Sequence, residues 1–444
     1  MIVQLKKMIE KIPEPIGKYF SYVPYAMRLG NDYGASIENI GFFVSATTDE
    51  KKDFIFKKTY EITTHAIAHN SFYQKFYADA GFSLDGLRTF EDIQKIPLIT
   101  KADLKSASLA ERTTPGSKDF LVNTGGSSGD PLEFYLDRHA FAREWAHMHT
   151  IWSQVDYQPT DLKLTFRGKN LGSSPLRYNP VHNEYVVNTY LPLPVVIDAI
   201  ATVVNKKSVR YLHGYPSTIY NFALEAVRCN QQLVADLDRT LKGILLGSEY
   251  PAPVYRDTIK EVFTAPTISW YGHSEMAVLA CEQGQEGVYH PFQSYGYCEA
   301  VPDGMDNFRL VSTSYFNETS PFIRYDTGDL ITPHFTDGIL ESYEIAEGRV
   351  GEFIIDRDGQ RVSLTALIFG RHHKIFGQAR YLQIRQDKAG EATLMITLPD
   401  GINLTDEEIT AGFDTSHVAV DFSYRFLSEP VKTPAGKIPL LIKG

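Results

Sequence analysis

Cysteine is scarce in this chain, with three residues (Cys229, Cys281 and Cys298) in 444. An odd, sparse set excludes a disulfide framework and fits a reducing, cytosolic compartment. Long hydrophobic runs are missing as well. The N-terminus, MIVQLKKMIEKIPEPIGKYF, mixes lysine and glutamate with its apolar residues, and no stretch reaches the 18 or more apolar residues of a spanning helix. Positive charge is in deficit: the formal net charge is −10, which speaks against a nucleic-acid footprint and for small-molecule partners. No repeat or low-complexity tract stands out. What remains is length, and because single cores rarely grow past about 250–300 residues, one large and one small domain are expected.

Residues 52–70 mix apolar and polar positions with helical spacing, and residues 99–116 read as a capped helix followed by a turn. A helical leader therefore runs to about residue 118. Strand-like runs at 120–123 and 132–136 flank a loop rich in glycine and serine. Residues 209–215, 241–248 and 266–272 are buried-strand candidates, separated by helical stretches at 218–230 and 253–263. That alternation predicts an α/β fold with helix-covered, mostly parallel sheets. After Ile339 the runs become short and strand-like (352–364 and 381–398), punctuated by Asp358-Gly359 and Ala389-Gly390, with a helix near 405–412. The expected division is a large domain over 1–346 and a small, mobile α+β domain over 347–444.

Five short segments carry the chemistry, in a fixed order. TGGSSGDP begins with Thr124, Gly125, Gly126, Ser127, Ser128 and Gly129. Its glycines let backbone N–H groups approach an anion while three hydroxyls donate, which suits a polyphosphate. The Gly-Lys-Ser/Thr ending of a Walker loop is missing. The same stretch matches G-x-S-x-G around Ser127, but a nucleophile elbow needs a helix next, and here the chain meets Pro131 and a strand. LLGSEY contains Gly247, Ser248, Glu249 and Tyr250. In YGHSE, Tyr271 can stack on a purine, Gly272 permits close approach and Glu275 offers an oxygen ligand for Mg²⁺. In YDTGD, Asp329 offers two acceptor oxygens to the two hydroxyls of a ribose. TPAGK sets Lys437 on a turn near the C-terminus, where a cation can visit a site.

Together these segments resemble the nucleotide-binding and catalytic apparatus of the adenylate-forming superfamily of acyl-CoA synthetases and luciferases. The resemblance is strongest to the branch of phenylacetate-CoA ligases and the CapK-like proteins of capsular polysaccharide clusters. Residues 76–104 resemble the lead-in to that branch's phosphate loop, residues 215–223 resemble its substrate-side helix, and the similarity runs from about residue 55 to the end. It implies an ATP-dependent, AMP-forming ligase. Residues 124–129 would cradle the β- and γ-phosphates, Gly247 to Tyr250 would line the adenine, Tyr271 would stack on it and Glu275 would bind Mg²⁺. Asp329 would bind the ribose, Arg349 would sit at the interdomain hinge near it, and Lys437 would bridge the acid's carboxylate and the α-phosphate, where two anions must meet. The chain departs from the pattern at Asp130 and Asp326, where basic residues are usual, and at Gly351 of the hinge. Arg324 stands close enough in sequence to compensate at the second.

The acid's pocket is expected to include His213, Tyr215, Tyr220, Trp270 and His273. Arg167 and Lys169 can bind an anionic substituent or belong to a surface loop. Cys281, His290 and Cys298 are ligand types that zinc prefers, set against the default of buried thiols and a hydrogen-bonded histidine. His372 and His373 read as solvated or bonded to loop backbone. The resemblance implies CoA as acceptor in most relatives and leaves open an amine, as in amide formation on a sugar of a capsular polysaccharide. Two readings of other classes stand beside it: a serine hydrolase using Ser127, and a noncatalytic nucleotide-binding protein.

Overall fold

The computed structural model describes residues 9, 12–431 and 441–442, apart from 117, 125–131, 168, 170, 190, 249–250, 252, 304–307, 348–352, 365–366, 368–374, 376–378, 380, 399–401, 403, 414 and 416–417. The leader is helical. Helix Thr48–His69 opens on a capping box of Thr47 and Glu50, and its buried residues, Ile55, Thr59, Ile62, Thr63 and Ala66, form one stripe,. Helix Lys101–Ser106 is capped in the same way by Thr100 and Asp103. It ends sooner than the 99–116 pattern suggests, because Ser108 and Glu111 form a second local box that takes the chain into a separate turn.

Strands β1 (Phe120–Asn123) and β2 (Glu133–Leu136) pair as an antiparallel hairpin. Twelve strands then build one sheet: β3 (Lys163–Phe166), β4 (Leu176–Asn179), β5 (Glu184–Val187), β6 (Tyr211–Gly214), β7 (Gly243–Leu246), β8 (Thr267–Gly272), β9 (Leu279–Gln283), β10 (Gln285–Pro291), β11 (Gly296–Pro302), β12 (Phe308–Ser314), β13 (Tyr325–Thr336) and β14 (Ile339–Glu347). Their order is β11-β12-β13-β14-β10-β9-β8-β7-β6-β3-β5-β4. Strands β5, β3, β6, β7 and β8 are parallel, as the alternating pattern predicts. From β8 to β11 every pairing is antiparallel, and β4 closes the other edge antiparallel.

Strands β3, β5, β6 and β7 are buried along their whole length, as strands covered on both faces must be. One face packs Leu164, Leu212, Ile244 and Leu246 against the helices Leu193–Val204, Pro216–Cys229, Gln231–Thr240 and Pro253–Val262. The other packs Tyr211, Leu245, Ile268, Leu279 and Cys281 against helix Ala140–Ser153 through Met148, Ile151 and Trp152. Beyond β14, β15 (Phe353–Ile355) and β16 (Arg361–Ser363) form a hairpin around Asp358-Gly359. Strands β17 (Tyr381–Lys388), β18 (Glu391–Thr397), β19 (Asp421–Leu427) and β20 (Leu441–Ile442) form a four-stranded sheet. With helix Asp406–Gly412 they make a smaller α+β part whose core gathers Ile354, Leu382, Ile384, Leu394, Ile396 and Ile409. Among the described residues no helix is long and apolar enough to cross a membrane.

One buried ion pair ties the leader to the sheet. The Arg324 guanidinium donates to both Glu299 oxygens (2.7 and 2.9 Å) and to the carbonyls of Gln94 and Ile96 (2.7 Å each). Arg324 is therefore committed inward and does not supply the charge that Asp326 lacks. Asp326 instead pairs with Arg309 at 3.0 Å. Replacing Arg324 by Met leaves Glu299 buried and unpaired, so urea unfolding is expected to report a loss of about 3–5 kcal/mol.

Candidate functional site

The C-terminal ends of parallel strands are where open α/β sheets bind ligands, and four of them lie side by side here. In register, Thr165, His213, Leu245 and Ile268 form one row across β3, β6, β7 and β8. Two residues on, Arg167, Tyr215, Gly247 and Trp270 continue it, with the Tyr215 N–H donating to Phe166 O (3.3 Å) and the Gly247 N–H to Gly214 O (3.1 Å). Gly247 is glycine for a steric reason: a Cβ there would lie 2.1 Å from the Trp270 ring. Ser248 follows at φ +67, in the left-handed region, and its hydroxyl accepts from Arg167 Nη2 at 3.4 Å.

YGHSE starts in β8 with Tyr271 and Gly272 and runs into the turn where the sheet changes from parallel to antiparallel, between β8 and β9. The Tyr271 hydroxyl donates to Asp329 Oδ2 at 2.5 Å, and the Tyr325 hydroxyl donates to Glu275 Oε1 at 3.2 Å. Tyr271 also meets Tyr343 edge-on, with ring centroids 5.9 Å apart. His273 Nδ1 lies 3.2 Å from Glu275 Oε2, yet neither ring nitrogen is aligned for a hydrogen bond, and both are buried. We read the pair as proximity without a bond. Met276 adopts φ +51 in the same turn.

Asp329 is aimed at Tyr271 by a bulge. Gly328 sits at φ +79 where the β12–β13 register slips: Thr327, Gly328 and Asp329 stand opposite the single Leu310, and the two extra residues bend the strand. The bulge is pinned by the Thr327 hydroxyl donating to Leu310 O (2.8 Å) and by the Gly328 N–H donating to Asp326 Oδ1 (2.8 Å). The Thr-Gly of YDTGD is thus the device that orients its final carboxylate. Thr124 closes the base of the serine-rich loop, its N–H donating to Leu132 O and its hydroxyl accepting the Leu132 N–H, both at 2.9 Å. That hydroxyl keeps its own proton for another acceptor.

The structure thus brings Tyr271, Glu275, Asp329 and His273 together, and sets His213 and Trp270 in the adjoining rows, with ring centroids 5.9 Å apart. Gly272 lies in β8 with Leu279 Cδ1 3.0 Å from where a Cβ would be, and Tyr215 is half-buried ahead of helix Pro216–Cys229. Tyr220 packs on Tyr255 among the helices of the opposite face, centroids 5.2 Å apart. Lys169 is exposed. Gly125, Gly126, Ser127, Ser128, Gly129, Glu249, Tyr250, Arg349 and Lys437 lie outside the described residues, as do Asp130, Gly351, His372 and His373.

The zinc expectation is corrected. Cys281 and His290 are cross-strand neighbours, but Cys281 faces helix Ala140–Ser153, whereas Cys298 packs with Val278 and Ala280 on the other face of β9. The thiol of Cys281 accepts from Gln154 Nε2 at 3.4 Å, and burial pushes its pKa up to about 11. A low-pKa thiolate is what zinc needs, and among the described residues no group of three or more histidine, cysteine, aspartate or glutamate residues could hold a metal.

Residues that the motifs did not flag complete the site. The Tyr295 hydroxyl donates to Glu144 Oε2, and burial raises the Glu144 pKa. His147 Nε2 meets Ser294 Oγ at 3.1 Å, and its Nδ1 lies 2.9 Å from Arg143 O. The helical period of residues 140–153 puts Glu144 and His147 on one face, and nothing in the linear sequence pairs them with Tyr295 and Ser294.

No family model matches the chain. It is 24% identical over 371 residues to Protein CapK of Staphylococcus aureus, covering 79% of this chain and 80% of that protein. Its structure is similar to that of a 2-hydroxyisobutyryl-CoA ligase in complex with 2-HIB-AMP and CoA in the thioesterification state, with TM-score 0.58, 18% identity and 90% of each chain covered. The same ligase in the postadenylation state with R3-HIB-AMP gives TM-score 0.53 at 17% identity, covering 90% of this chain and 91% of that one. The chain therefore has the fold of the adenylate-forming ligases, as the order of its motifs led us to expect.

Burial lowers the pKa of His147 to about 4 and that of His149 to about 3, and drives that of His213 well down. The folded state resists protonation that the unfolded chain accepts below its ordinary value near 6.5, so stability falls as pH falls. For His147 the window is about pH 6.5 to 4. Urea unfolding across it is expected to show that His147→Gln removes about 1.4 kcal/mol per pH unit of the slope.

Proposed function

We propose that this chain is an AMP-forming carboxylate ligase. A carboxylate oxygen of the acid attacks the α-phosphorus of ATP, the bond to the β-phosphate oxygen breaks and pyrophosphate leaves with its electron pair. A thiol, CoA by likeness to the ligase of similar fold, then attacks the acyl carbon, AMP departs, and the thiol proton passes to solvent.

The observation that carries this reading is the convergence of Tyr271 with Asp329 and of Tyr325 with Glu275, beside the unbonded nitrogens of His273. Buried polar atoms without partners mark a place where a ligand can supply them. In this reading Asp329 receives the ribose hydroxyls, Tyr271 borders the adenine with Gly247 to Tyr250, and the loop that Thr124 closes holds the phosphates. One protein carboxylate suits Mg²⁺, which is commonly held by one or two carboxylates together with substrate phosphates and water. Glu275 would be that ligand, and the ion would supply neutralisation of phosphate charge. The part of the chain after residue 347 acts as a lid carrying Lys437, with Arg349 at its hinge.

Pyrophosphate release from ATP and Mg²⁺, with hydroxylamine as acceptor, tests the reading across aryl, fatty, amino, hydroxy and hexuronic acids. Acid-dependent release is expected, reduced about 10²–10³-fold in Lys437→Ala. Failure to bind ATP would overturn it.

A further inference from the structure

Glu144 occupies an unusual position. It stands on helix Ala140–Ser153, which packs through Met148, Ile151 and Trp152 on Leu245 of β7 and Ile268 of β8, and it is half-buried although burial raises its pKa. Solvent reaches it, then, from within a recess. Its Oε2 accepts from Tyr295, while among the described residues Oε1 has no hydrogen bond or ion pair. Arg167 and His273 are both close enough for their charge to act on it, and Arg167 also reaches Ser248 at the end of β7.

The surroundings are polar and short. Trp152 meets His213 and Trp270, with centroids 5.0 and 6.0 Å apart, and its indole Nε1 is buried without a partner among the described residues. His273 adds two more such nitrogens. The Trp270 ring lies directly on the Gly247 backbone and fills the space that a side chain there would take. A hydrocarbon tail here would strip water from the half-buried Glu144 carboxylate without replacing the lost hydrogen bond, which is unfavourable,.

We propose that this recess is the acid-binding pocket and that it selects a short polar acid, whose hydroxyl or ammonium group donates to Glu144 Oε1. The proposal rests on the ligase reading and deepens it. Glu144 is then a specificity-determining residue, and Trp270 limits chain length. Discrimination follows the rule that a site built to hydrogen-bond a substrate rejects the analogue that lacks the donor, because the buried acceptor goes unmet.

The chain's three tryptophans, Trp145, Trp152 and Trp270, all belong to the cluster around this recess, so intrinsic fluorescence reads it without turnover. Propanoate, 2- and 3-hydroxypropanoate, β-alanine and hexanoate are titrated with α,β-methylene-ATP present, and pyrophosphate release is followed in parallel with ATP. A hydroxyl- or ammonium-bearing acid is expected to bind at least about 10-fold more tightly than propanoate. Glu144→Leu, with ATP affinity retained as evidence of folding, should erase the preference. Glu144→Gln should erase it for β-alanine and keep part of it for the hydroxy acids, which separates the two donors. Propanoate or hexanoate binding as tightly, no acid binding at all, or a Glu144→Leu loss equal for every acid would overturn the proposal. Release with alkyl acids alone would overturn it and leave the ligase reading standing. A fluorescence preference without release would do the reverse.

Discussion

Arg324 holds the left-handed region, φ +47, with its guanidinium buried against Glu299 and two carbonyls of the leader. An L-residue accepts that backbone only where its surroundings over-determine it, and here they do. The Ile99 N–H donates to Arg324 O and the Asp326 N–H to Ile99 O, so the leader runs as a short parallel bridge along the start of β13. Tyr325, fixed between these two bonds, places its hydroxyl on Glu275. The carboxylate of the YGHSE turn is thus oriented by a charge that never approaches it, and by a piece of chain more than 170 residues upstream.

The second organising element is the charge buried on the face that carries helix Ala140–Ser153. The Lys163 ammonium donates to His182 O at 2.6 Å and lies 3.3 Å from Glu184, whose oxygens also accept from Thr165 (2.7 Å) and Asn179 (2.8 Å). Burial alone would raise the Glu184 pKa, but Lys163, His182 and the Thr165 hydroxyl hold it well below the ordinary range. Satisfied in this way, a buried pair stiffens its neighbourhood rather than weakening it. This polar edge grades into the apolar centre of β7 and β8 through His213, which stays neutral between the two.

Much of this was legible in the linear chain. The three parallel strands β6, β7 and β8 follow from short apolar runs alternating with helical stretches, and YDTGD reads as a carboxylate on a turn because Thr-Gly has few other uses in a strand. The antiparallel half was not legible: which of β9 to β14 lie side by side is set by the order of pairing, which no local pattern encodes. Nor was the partnership of Glu144 with Tyr295, 151 residues apart, since a glutamate on an amphipathic helix looks like a solvated face until the opposing strand is placed. Cys281 and Cys298 looked like neighbours through proximity in sequence, while Cys281 lies in β9 and Cys298 in the edge strand β11, packed against the face of β9 that carries Val278 and Ala280.

Gly247 and Trp270 cannot be considered separately. One residue's missing side chain is the volume that the other's ring occupies, so the two positions together hold a nearly constant amount of matter. Any change at one therefore asks for an opposite change at the other, and a small residue at 270 would open the space that the indole now fills. In descendants of this chain, natural or made, the depth of the recess is expected to behave as a single inherited trait written at two sites on adjacent strands.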